Sequence, residues 1–374
     1  MEEFTVVYNR DKGESFVKSL KDCRTMNLYF IGSTETSTIP GISVAGASPK
    51  LTLYTPACDV EYLVHGKPLS FDVIPVTPEG IPTPALITRA ALMLSKLSYL
   101  VIDTGSYIEP KIPHVSLPSK CTGKRIDHGK ALPYDKVKEL YCQSATLAKL
   151  LLSSCDLFVI GESIPGGTTT ALGILVGLGY NAWGMVSSAG PNNPHKLKKS
   201  VVKRGLTNSK LSIEETRKDP FKAVSALGDP VHVSIAGFLS QALSEGVKVI
   251  LAGGTQMAAV LAIAKHLGID LSRGISIATT RWLINDQSSS IIDLVKMISP
   301  HLPIIAVNLD FSSSPFEGLR YYEKGYVKEG VGAGGTTLAS LAVKNTSLQR
   351  IVYEIYREYH RLVKSGEASG VTHS

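Results

Sequence analysis

The stretch Asp156-Leu-Phe-Val-Ile-Gly-Glu-Ser-Ile-Pro-Gly-Gly-Thr-Thr-Thr-Ala-Leu-Gly-Ile-Leu-Val176 indicates a buried strand, a glycine-rich turn and a buried helix in succession. The apolar run 156–160 predicts the strand, and the apolar run 171–176 predicts the helix. Glycines let the backbone of such a turn come close to an anion, and the following helix directs free N–H groups at it. The turn therefore predicts a phosphate site at the carboxyl end of a strand.

The residues of this turn are the first candidates for a binding site. Gly166, Gly167, Thr168 and Thr169 are candidates for holding a phosphate, and Glu162 is a candidate for contacting a ribose or for capping the next helix. No Gly-Lys-Ser/Thr sequence closes the turn, so it is not a P-loop and ATP-type chemistry loses its main support. An ordinary turn, in which glycine and threonine serve only as turn and cap residues, is an equal alternative on this motif alone.

Composition and charge narrow the class of protein. The chain has 374 residues, of which 44% are hydrophobic and 19% are charged, as in soluble globular proteins with a large core. No apolar run is as long as a membrane span and no signal pattern follows Met1, which predicts a cytoplasmic protein without membrane contact. The net charge of +7 is scattered apart from a basic cluster at 196–204, which favours a phosphorylated small substrate over nucleic acid.

Cysteine and histidine spacing gives no sign of a metal. The five cysteines are widely spaced without a CxxC pair, and the nine histidines show neither HxH nor HExxH spacing. These patterns argue against a disulfide framework and against a zinc site. We therefore expect no metal and no cofactor.

Short apolar runs alternate with longer helical patterns, which predicts an α/β fold with a mostly parallel, Rossmann-like sheet and helices on both faces. We expect residues 26–335 to form this α/β domain, and residues 1–25 with 336–374 to form a small helical subdomain. The predicted strands are Leu28–Gly32, Phe71–Val76, Tyr99–Asp103, Leu157–Gly161, Ala182–Val186, Val247–Ala252, Ile275–Thr279 and Ile304–Leu309. The predicted helices are Pro84–Leu97, Tyr134–Leu152, Thr169–Leu178, His195–Gly205, Thr255–Leu267, Ser289–Ile298 and Leu348–Lys364.

Ligands of such folds bind at the carboxyl ends of the strands. Asp103 ends a predicted strand, so it is a candidate ligand-binding residue, although it also suits the cap of its own loop. The residues that follow it, up to about Pro133, are long for a structureless loop and are expected to be functional or to cover part of a site. The glycine-bearing loops at 188–194, 253–255 and 330–337 are further candidates.

Four segments match motifs of one enzyme family. Gly161–Thr169 keeps the GE pair, one glycine and both threonines of the motif GE-x-GIGNTT, with Gly167 in place of the asparagine. Leu197–Leu206 matches ARK-xx-VVERAL, Val327–Ala333 matches LGEGSGA, and Glu79–Thr88 echoes EGVSAYP-x-xVT of a benzimidazole pocket. Together these segments resemble the nicotinate-nucleotide–dimethylbenzimidazole phosphoribosyltransferases, in particular their archaeal branch.

The resemblance implies roles for individual residues. It places the family's catalytic glutamate on Glu329 and its phosphate-contacting lysine on Lys198, with Lys199 as the neighbouring alternative. It also implies a homodimer that uses nicotinate mononucleotide and an aromatic base as substrates. The family's pocket serine and glutamine have no counterparts in 80–88, so the acceptor stays open among dimethylbenzimidazole, another benzimidazole, adenine and a phenol.

The implied reaction moves the 5-phosphoribosyl group from nicotinate mononucleotide to the base, giving α-ribazole 5′-phosphate and nicotinate. Gly330, Gly332 and Gly334 belong to the loop near the site that carries Glu329. Without the resemblance, a glutamate beside Lys328 in an exposed loop is usually only solvated.

Two other classes of function remain open. Gly330-x-Gly332-x-x-Gly335 has the spacing of a dinucleotide-binding fingerprint, which suggests a dinucleotide-dependent oxidoreductase, but the residues before it make a poor strand. A non-catalytic nucleotide-binding protein of the same fold is the other alternative. Binding of NAD(H) distinguishes the first, and binding of nicotinate mononucleotide without turnover distinguishes the second.

Overall fold

The computed structural model describes residues 2–43, 45, 48–71, 76–77 and 79–368. In this part of the chain one sheet has eight strands, in the order β1-β8-β7-β6-β5-β2-β3-β4. All neighbouring strands are parallel except β1, which pairs antiparallel with β8. The strands are β1 (Phe4–Tyr8), β2 (Thr25–Gly32), β3 (Ser98–Gly105), β4 (Val115–Ser116), β5 (Leu157–Ser163), β6 (Lys248–Ala252), β7 (Ile275–Thr280) and β8 (Ile304–Val307). This sheet confirms the predicted fold class.

Helices fill the connections between the strands. They are α1 (Arg10–Lys18), α2 (Thr55–His65), α3 (Ala85–Ser95), α4 (Tyr134–Leu151), α5 (Gly167–Gly177), α6 (His195–Ser209), α7 (Ile213–Lys218), α8 (Pro220–Leu227), α9 (Pro230–Ser244), α10 (Gln256–His266), α11 (Arg281–Ile284), α12 (Ile291–Ile298), α13 (Glu317–Arg320), α14 (Ala333–Lys344) and α15 (Leu348–Ala368). Among the described helices, none is long and apolar enough to cross a membrane.

The core lies on both faces of the sheet, because successive residues of a strand point to opposite faces. In β5, Phe158 and Ile160 pack into one apolar cluster, and Leu157 and Val159 pack into a second one. Every residue of β5 is buried. A strand covered on both sides reads as a continuous apolar run, which is why the run 156–160 marks it in the sequence.

The prediction for Ala182–Val186 was wrong. These residues form turns and a bend between α5 and α6, although Ala182 and Val186 are fully buried. The apolar residues here belong to a buried loop, and periodicity alone does not distinguish a buried loop from a strand. Of the predicted strand Phe71–Val76, residues 72–75 lie outside the described residues.

The predicted subdomain requires helical N-terminal residues, but the structure has a strand among them. Phe4–Tyr8 is an edge strand paired with β8, from Phe4 against Val307 to Tyr8 against Ile304, so this stretch belongs to the sheet. Its apolar residues are only half-buried, which gives an edge strand a weak sequence signal. The division into a domain of 26–335 and a subdomain from both chain ends stays a prediction.

The order of the strands places a crevice beside β5. From β5 the sheet continues to β6, β7 and β8 on one side and to β2, β3 and β4 on the other. The connections after β2 and β5 therefore run toward opposite edges, and the carboxyl ends of these two strands flank an opening between them. Such a switch point is where open α/β sheets bind their ligands.

Candidate active site

A cavity of about 700 Å³ lies at this end of the sheet, within the range of small-molecule sites. Its walls come from the turn after β5, the turn after β6 and the loop before α14. Residues of α2 and the residues that lead into α3 complete it. Among the sequence candidates, its lining includes Glu162, Gly166, Gly167, Thr168, Glu329 and Gly330. The structure thus brings together the two segments that carry the resemblance most clearly.

The turn after β5 has the geometry that an anion site needs. Gly166 has a left-handed backbone with a φ of 79° and precedes α5 without a side-chain cap. In the described part of the chain, the N–H of Thr168 donates to no acceptor. Free N–H groups and the helix dipole make this end of α5 attractive to a phosphate. Thr169 is fully buried and does not line the cavity.

A second helix begins at the same place. Gly254, Thr255 and Gln256, at the start of α10, line the cavity. The Thr255 hydroxyl accepts a hydrogen bond of 2.9 Å from the N–H of Ser187, while the N–H of Thr255 finds no acceptor among the described residues. The positive ends of α5 and α10 therefore converge on one region. We call it the anion subsite, and it is formed by residues 166–168 and 254–256.

Gln256 explains the glycine that departs from the family motif. A Cβ on Gly167 would lie only 2.0 Å from Oε1 of Gln256, so the glutamine occupies the space that an asparagine at 167 needs. The other end of its amide, Nε2, donates a hydrogen bond of 2.9 Å to Oε1 of Glu162. Gln256 was missed by the sequence analysis, because no local motif marks it.

Glu329 lies four residues before α14 and is held by nearby backbone N–H groups. The N–H groups of Gly330 and Gly334 donate to its Oε1 over 3.1 and 3.2 Å, and the Thr279 hydroxyl donates to Oε2 over 3.2 Å. One part of the side chain remains open to the cavity. Burial raises the pKa of Glu329 to about 7, while these N–H donors act in the opposite direction. The group thus suits proton transfer at neutral pH.

The glycines around Glu329 serve close packing. A Cβ on Gly334 would lie 2.3 Å from the carbonyl carbon of Thr279, and one on Gly335 would lie 2.3 Å from Cβ of Ala252. Gly332 has a left-handed φ of 71° and touches Gly161. The predicted loop 330–337 is therefore helical from Ala333 onward, with its glycines against the strands. No strand precedes it in the described chain between β8 and α14, so the dinucleotide fingerprint lacks its required context.

Lys198 is fully buried beneath the cavity wall and does not line it. Its ammonium donates to the carbonyl of Ser187 over 2.5 Å and to Oδ1 of Asn193 over 3.0 Å. Burial, followed by the charge of Lys328, lowers the pKa of Lys198 to about 7. Lys199 is exposed, with its ammonium 5.8 Å from the ring centre of Trp183. Of the two lysines, only Lys198 lies near the anion subsite.

Asp103 lies apart from the cavity lining. Its Oδ1 accepts hydrogen bonds from the N–H and the hydroxyl of Ser106, and its Oδ2 lies 2.7 Å from the ammonium of Lys120. The carboxylate therefore caps the loop after β3, which is the second of the two roles that its sequence position allows.

A further buried carboxylate lines the cavity, from a helix that the sequence analysis did not predict. Asp59 of α2 is only 6% exposed, and its two oxygens accept hydrogen bonds of 2.7 Å from the hydroxyls of Thr83 and Ser163. Burial raises its pKa to about 6. A charged residue within the apolar run 55–64 is the signal that marks it, because such residues are seldom buried without a reason.

Asp59, Glu162 and Glu329 give the cavity an acidic end. Burial, followed by the charge of Glu329, raises the pKa of Glu162 well above its usual range. Lys328 is the one cationic side chain in the described lining, and its ammonium is already held by Asp286 at 3.2 Å and by two backbone carbonyls. The three carboxylates thus lack a cationic partner from the described residues. They also do not form a group with metal-site geometry.

Three comparisons with known proteins agree with this picture. Residues 92–273 match the family described as phosphoribosyltransferase. The chain is 48% identical to a UPF0284 protein of Aeropyrum pernix, over 89% of this chain and 91% of that protein. It is 47% identical to a UPF0284 protein of Pyrococcus furiosus, over 91% of this chain and 99% of that one.

The fold is that of two solved structures from Thermus thermophilus. CobT matches with a TM-score of 0.62 at 13% identity, over 93% of this chain and 91% of that one. A nicotinate-nucleotide-dimethylbenzimidazole phosphoribosyltransferase matches with a TM-score of 0.60 at 14% identity, over 92% and 94% of the two chains. The resemblance found in the sequence motifs is thereby confirmed.

Proposed function

Because the chain belongs to the UPF0284 family and shares the fold of CobT, we propose that it transfers a 5-phosphoribosyl group between two nitrogen heterocycles. The donor is nicotinate mononucleotide, the acceptor is a benzimidazole-type base, and the products are α-ribazole 5′-phosphate and nicotinate. One observation carries the proposal: the turn Gly166–Thr168 and the carboxylate of Glu329 face the same cavity. A phosphate site and a candidate base are the two parts that this reaction needs.

The anion subsite would hold the 5′-phosphate. Gly166, Gly167 and Thr168 offer backbone at the start of α5, and Thr169 sets the first turn of that helix. Lys198 supports this region through the carbonyl of Ser187, which itself lines the cavity. The positive charge of its buried ammonium lies behind the wall, where little water screens it. Its role is therefore to favour an anion in front of that wall.

While Asp59 would face the acceptor, the part of the acidic end around Glu162 and Glu329 would receive the rest of the donor. Its pyridinium ring is cationic, and carboxylates without a cationic partner attract such a ring. The C1′–N bond breaks with its electron pair going to the pyridinium nitrogen, which neutralises the leaving nicotinate ring. Glu162, held by Gln256, would accept hydrogen bonds from the ribose hydroxyls. Placing the acceptor nitrogen behind C1′ is then the main task of the cavity.

Glu329 would act as the general base. One nitrogen of the acceptor attacks C1′, and the other loses its N–H proton to the Glu329 carboxylate. A base with a pKa of about 7 is half ionised at neutral pH and matches this task. Gly330, Gly332 and Gly334 would keep the carboxylate in place through the start of α14. We also expect a homodimer, as the family resemblance implies, and a cytoplasmic location, as the missing signal pattern predicts.

The test is incubation of the protein with nicotinate mononucleotide and a panel of bases, followed by chromatography for nicotinate and a new riboside phosphate. The matched control is Glu329→Gln, which keeps the shape of the side chain and removes its basicity. Release of nicotinate together with a riboside phosphate is the expected result. Binding of nicotinate mononucleotide without turnover on any base would instead support a non-catalytic protein, and saturable binding of NAD(H) would support an oxidoreductase.

A further inference from the structure

Asp59 is a buried carboxylate whose hydrogen-bond partners are both neutral. The hydroxyls of Thr83 and Ser163 each donate to one of its oxygens, and no cation of the described chain pairs with it. Moving a carboxylate out of water costs several kcal/mol, and two hydroxyls offset this only in part. Each carboxylate oxygen can accept a second hydrogen bond. The side chain lines the cavity, so the missing donor can come from a ligand.

The position of Asp59 identifies which part of a ligand it meets. Its partner Thr83 lies in Glu79–Thr88, the segment that echoes the base pocket of the family. Tyr322 is fully buried and donates a hydrogen bond of 3.0 Å to the carbonyl of Pro82 in the same segment. Burial, followed by the charges of Glu329 and Asp59, raises the pKa of this tyrosine, so both carboxylates lie near it. The contact with Thr83 therefore places Asp59 beside the segment that would receive the acceptor.

The chemistry at this end does not suit methyl groups. A methyl placed against a buried carboxylate displaces water from the charge and gives it no hydrogen bond in return. A hydroxyl or amino group on the same ring carbon donates a hydrogen bond to the free lone pair of the carboxylate. This hydrogen bond replaces one that the carboxylate lost to burial. Hydrogen bonds to charged groups are worth about 1.5–3 kcal/mol, which corresponds to roughly a 10- to 100-fold preference.

We propose that Asp59 selects an acceptor base that carries a hydrogen-bond donor, a hydroxyl or an amino group, on the ring edge away from the attacking nitrogen. Thr83 and Ser163 orient the carboxylate toward that edge. The preferred acceptor is then a hydroxylated or amino-substituted heteroaromatic base, and dimethylbenzimidazole is a poorer one. This inference rests on the proposed function, since it specifies the acceptor of the same reaction.

The experiment compares matched bases with the whole protein. Benzimidazole, 5-hydroxybenzimidazole and 5,6-dimethylbenzimidazole share one ring system and differ at the edge in question, and adenine adds an amino group. We expect kcat/KM for 5-hydroxybenzimidazole to exceed that for 5,6-dimethylbenzimidazole at least tenfold. In Asp59→Ala this ratio should fall to within about twofold of one. Asp59→Asn keeps the shape of the side chain, and the ratio should fall there as well, with circular dichroism confirming the fold.

Two results would overturn the inference: a wild-type preference for the dimethyl base, or an unchanged preference in both Asp59 variants. If neither variant folds, the wild-type base panel still decides. Calorimetric binding of each base to the wild-type protein separates this inference from the proposed function. Selective binding of the hydroxylated base without transfer would support the selection by Asp59 and contradict the proposed reaction. Transfer without selectivity would support the proposed reaction and contradict the selection by Asp59.

Discussion

The backbone of Gly332 lies against that of Gly161, so that a Cβ on Gly161 would come within 2.7 Å of Cα of Gly332. One residue further, the N–H of Val331 donates a hydrogen bond of 2.9 Å to the carbonyl of Glu162. The turn that carries the anion subsite and the loop that carries Glu329 are therefore joined directly, although 170 residues separate them. We therefore expect a displacement of one loop to move the other.

Gly161→Ala should separate the two loops. The new methyl group pushes Gly332 away, and a shift of about 1 Å in a catalytic group costs roughly 100-fold in rate. The strain should also lower the free energy of unfolding by about 1–3 kcal/mol. Steady-state kinetics and urea unfolding measure both effects. Gly177→Ala is the control, because a Cβ there meets only side-chain carbons at 3.2 Å or more, apart from the backbone of Ala223 at 4.0 Å. Full kcat in Gly161→Ala would show that the contact is unimportant.

Glu329→Gln should reduce kcat by about two to four orders of magnitude, since it removes a general base. The dissociation constant of nicotinate mononucleotide should stay within a small factor. In the wild type, kcat should rise with pH through about 7, because the ionised carboxylate accepts the proton. That ascending limb should be absent in the variant. Weakened donor binding with full kcat would instead assign Glu329 to positioning.

The raised pKa of Glu329 also predicts how stability depends on pH. A carboxyl whose pKa is higher in the folded than in the unfolded protein binds its proton more tightly when folded. Its contribution to stability is complete below a pH of about 4.5 and is lost as the pH rises through about 7. Glu329→Gln cannot ionise, so its melting temperature relative to the wild type should increase over this range. A difference that does not change with pH would contradict the burial of the charge.

Gly167→Ala should destabilise the protein most while Gln256 is present, since its Cβ would lie 2.0 Å from Oε1 of that side chain and 2.7 Å from Cγ2 of Ile164. We expect a loss of about 1–3 kcal/mol in the single variant, in the range of overpacked sites. In a Gln256→Ala background, the cost of the same substitution should fall to that of the contact with Ile164 alone. Denaturant unfolding of both single variants and the double variant gives the coupling energy. Additive effects would mean that Ile164, the next nearest side chain, causes the strain.

Lys198→Ala should weaken the binding of nicotinate mononucleotide about tenfold or more, because it removes a buried positive charge from behind the anion subsite. Acceptor binding should change little. Lys199→Ala is the matched control, since this exposed neighbour lies over Trp183, and its effect should stay within twofold. Calorimetry on both variants measures this. Because the pKa of Lys198 is lowered to about 7, donor binding by the wild type should weaken as the pH rises above that value. Equal effects of the two variants would indicate that the basic cluster at 196–204 is only a solvated surface without a specific role in donor binding.

The central strands and the helices with a clear apolar period were predictable from the sequence. Six of the eight predicted strands and all seven predicted helices coincide with elements of the described structure. Their apolar runs are long, and the strands are buried on both sides of the sheet. The residues of the glycine-rich turn after β5 were predictable for the same reason, because such a turn indicates a phosphate site when it follows a buried strand.

The remaining parts depend on contacts between distant segments. The start of α14 and the residue before it contain three glycines within four residues and read as a loop. The chain is nevertheless helical from Ala333, because Gly334 and Gly335 let it approach Thr279 and Ala252. Gln256 carries no local motif, and the charge of Asp59 within an apolar run does not reveal its partners. Each enters the site through a partner elsewhere in the chain. Single-sequence patterns contain no information about such pairs.

The antiparallel pairing of β1 with β8 has a consequence for biosynthesis. Tyr8 pairs with Ile304, 296 positions further along the chain, so β1 leaves the ribosome long before its partner strand β8. At about 5–20 residues per second this interval is roughly 15–60 s. During that time β1 is an unpaired strand that other chains can recruit. Closing this edge of the sheet is thus an event that follows the synthesis of β8.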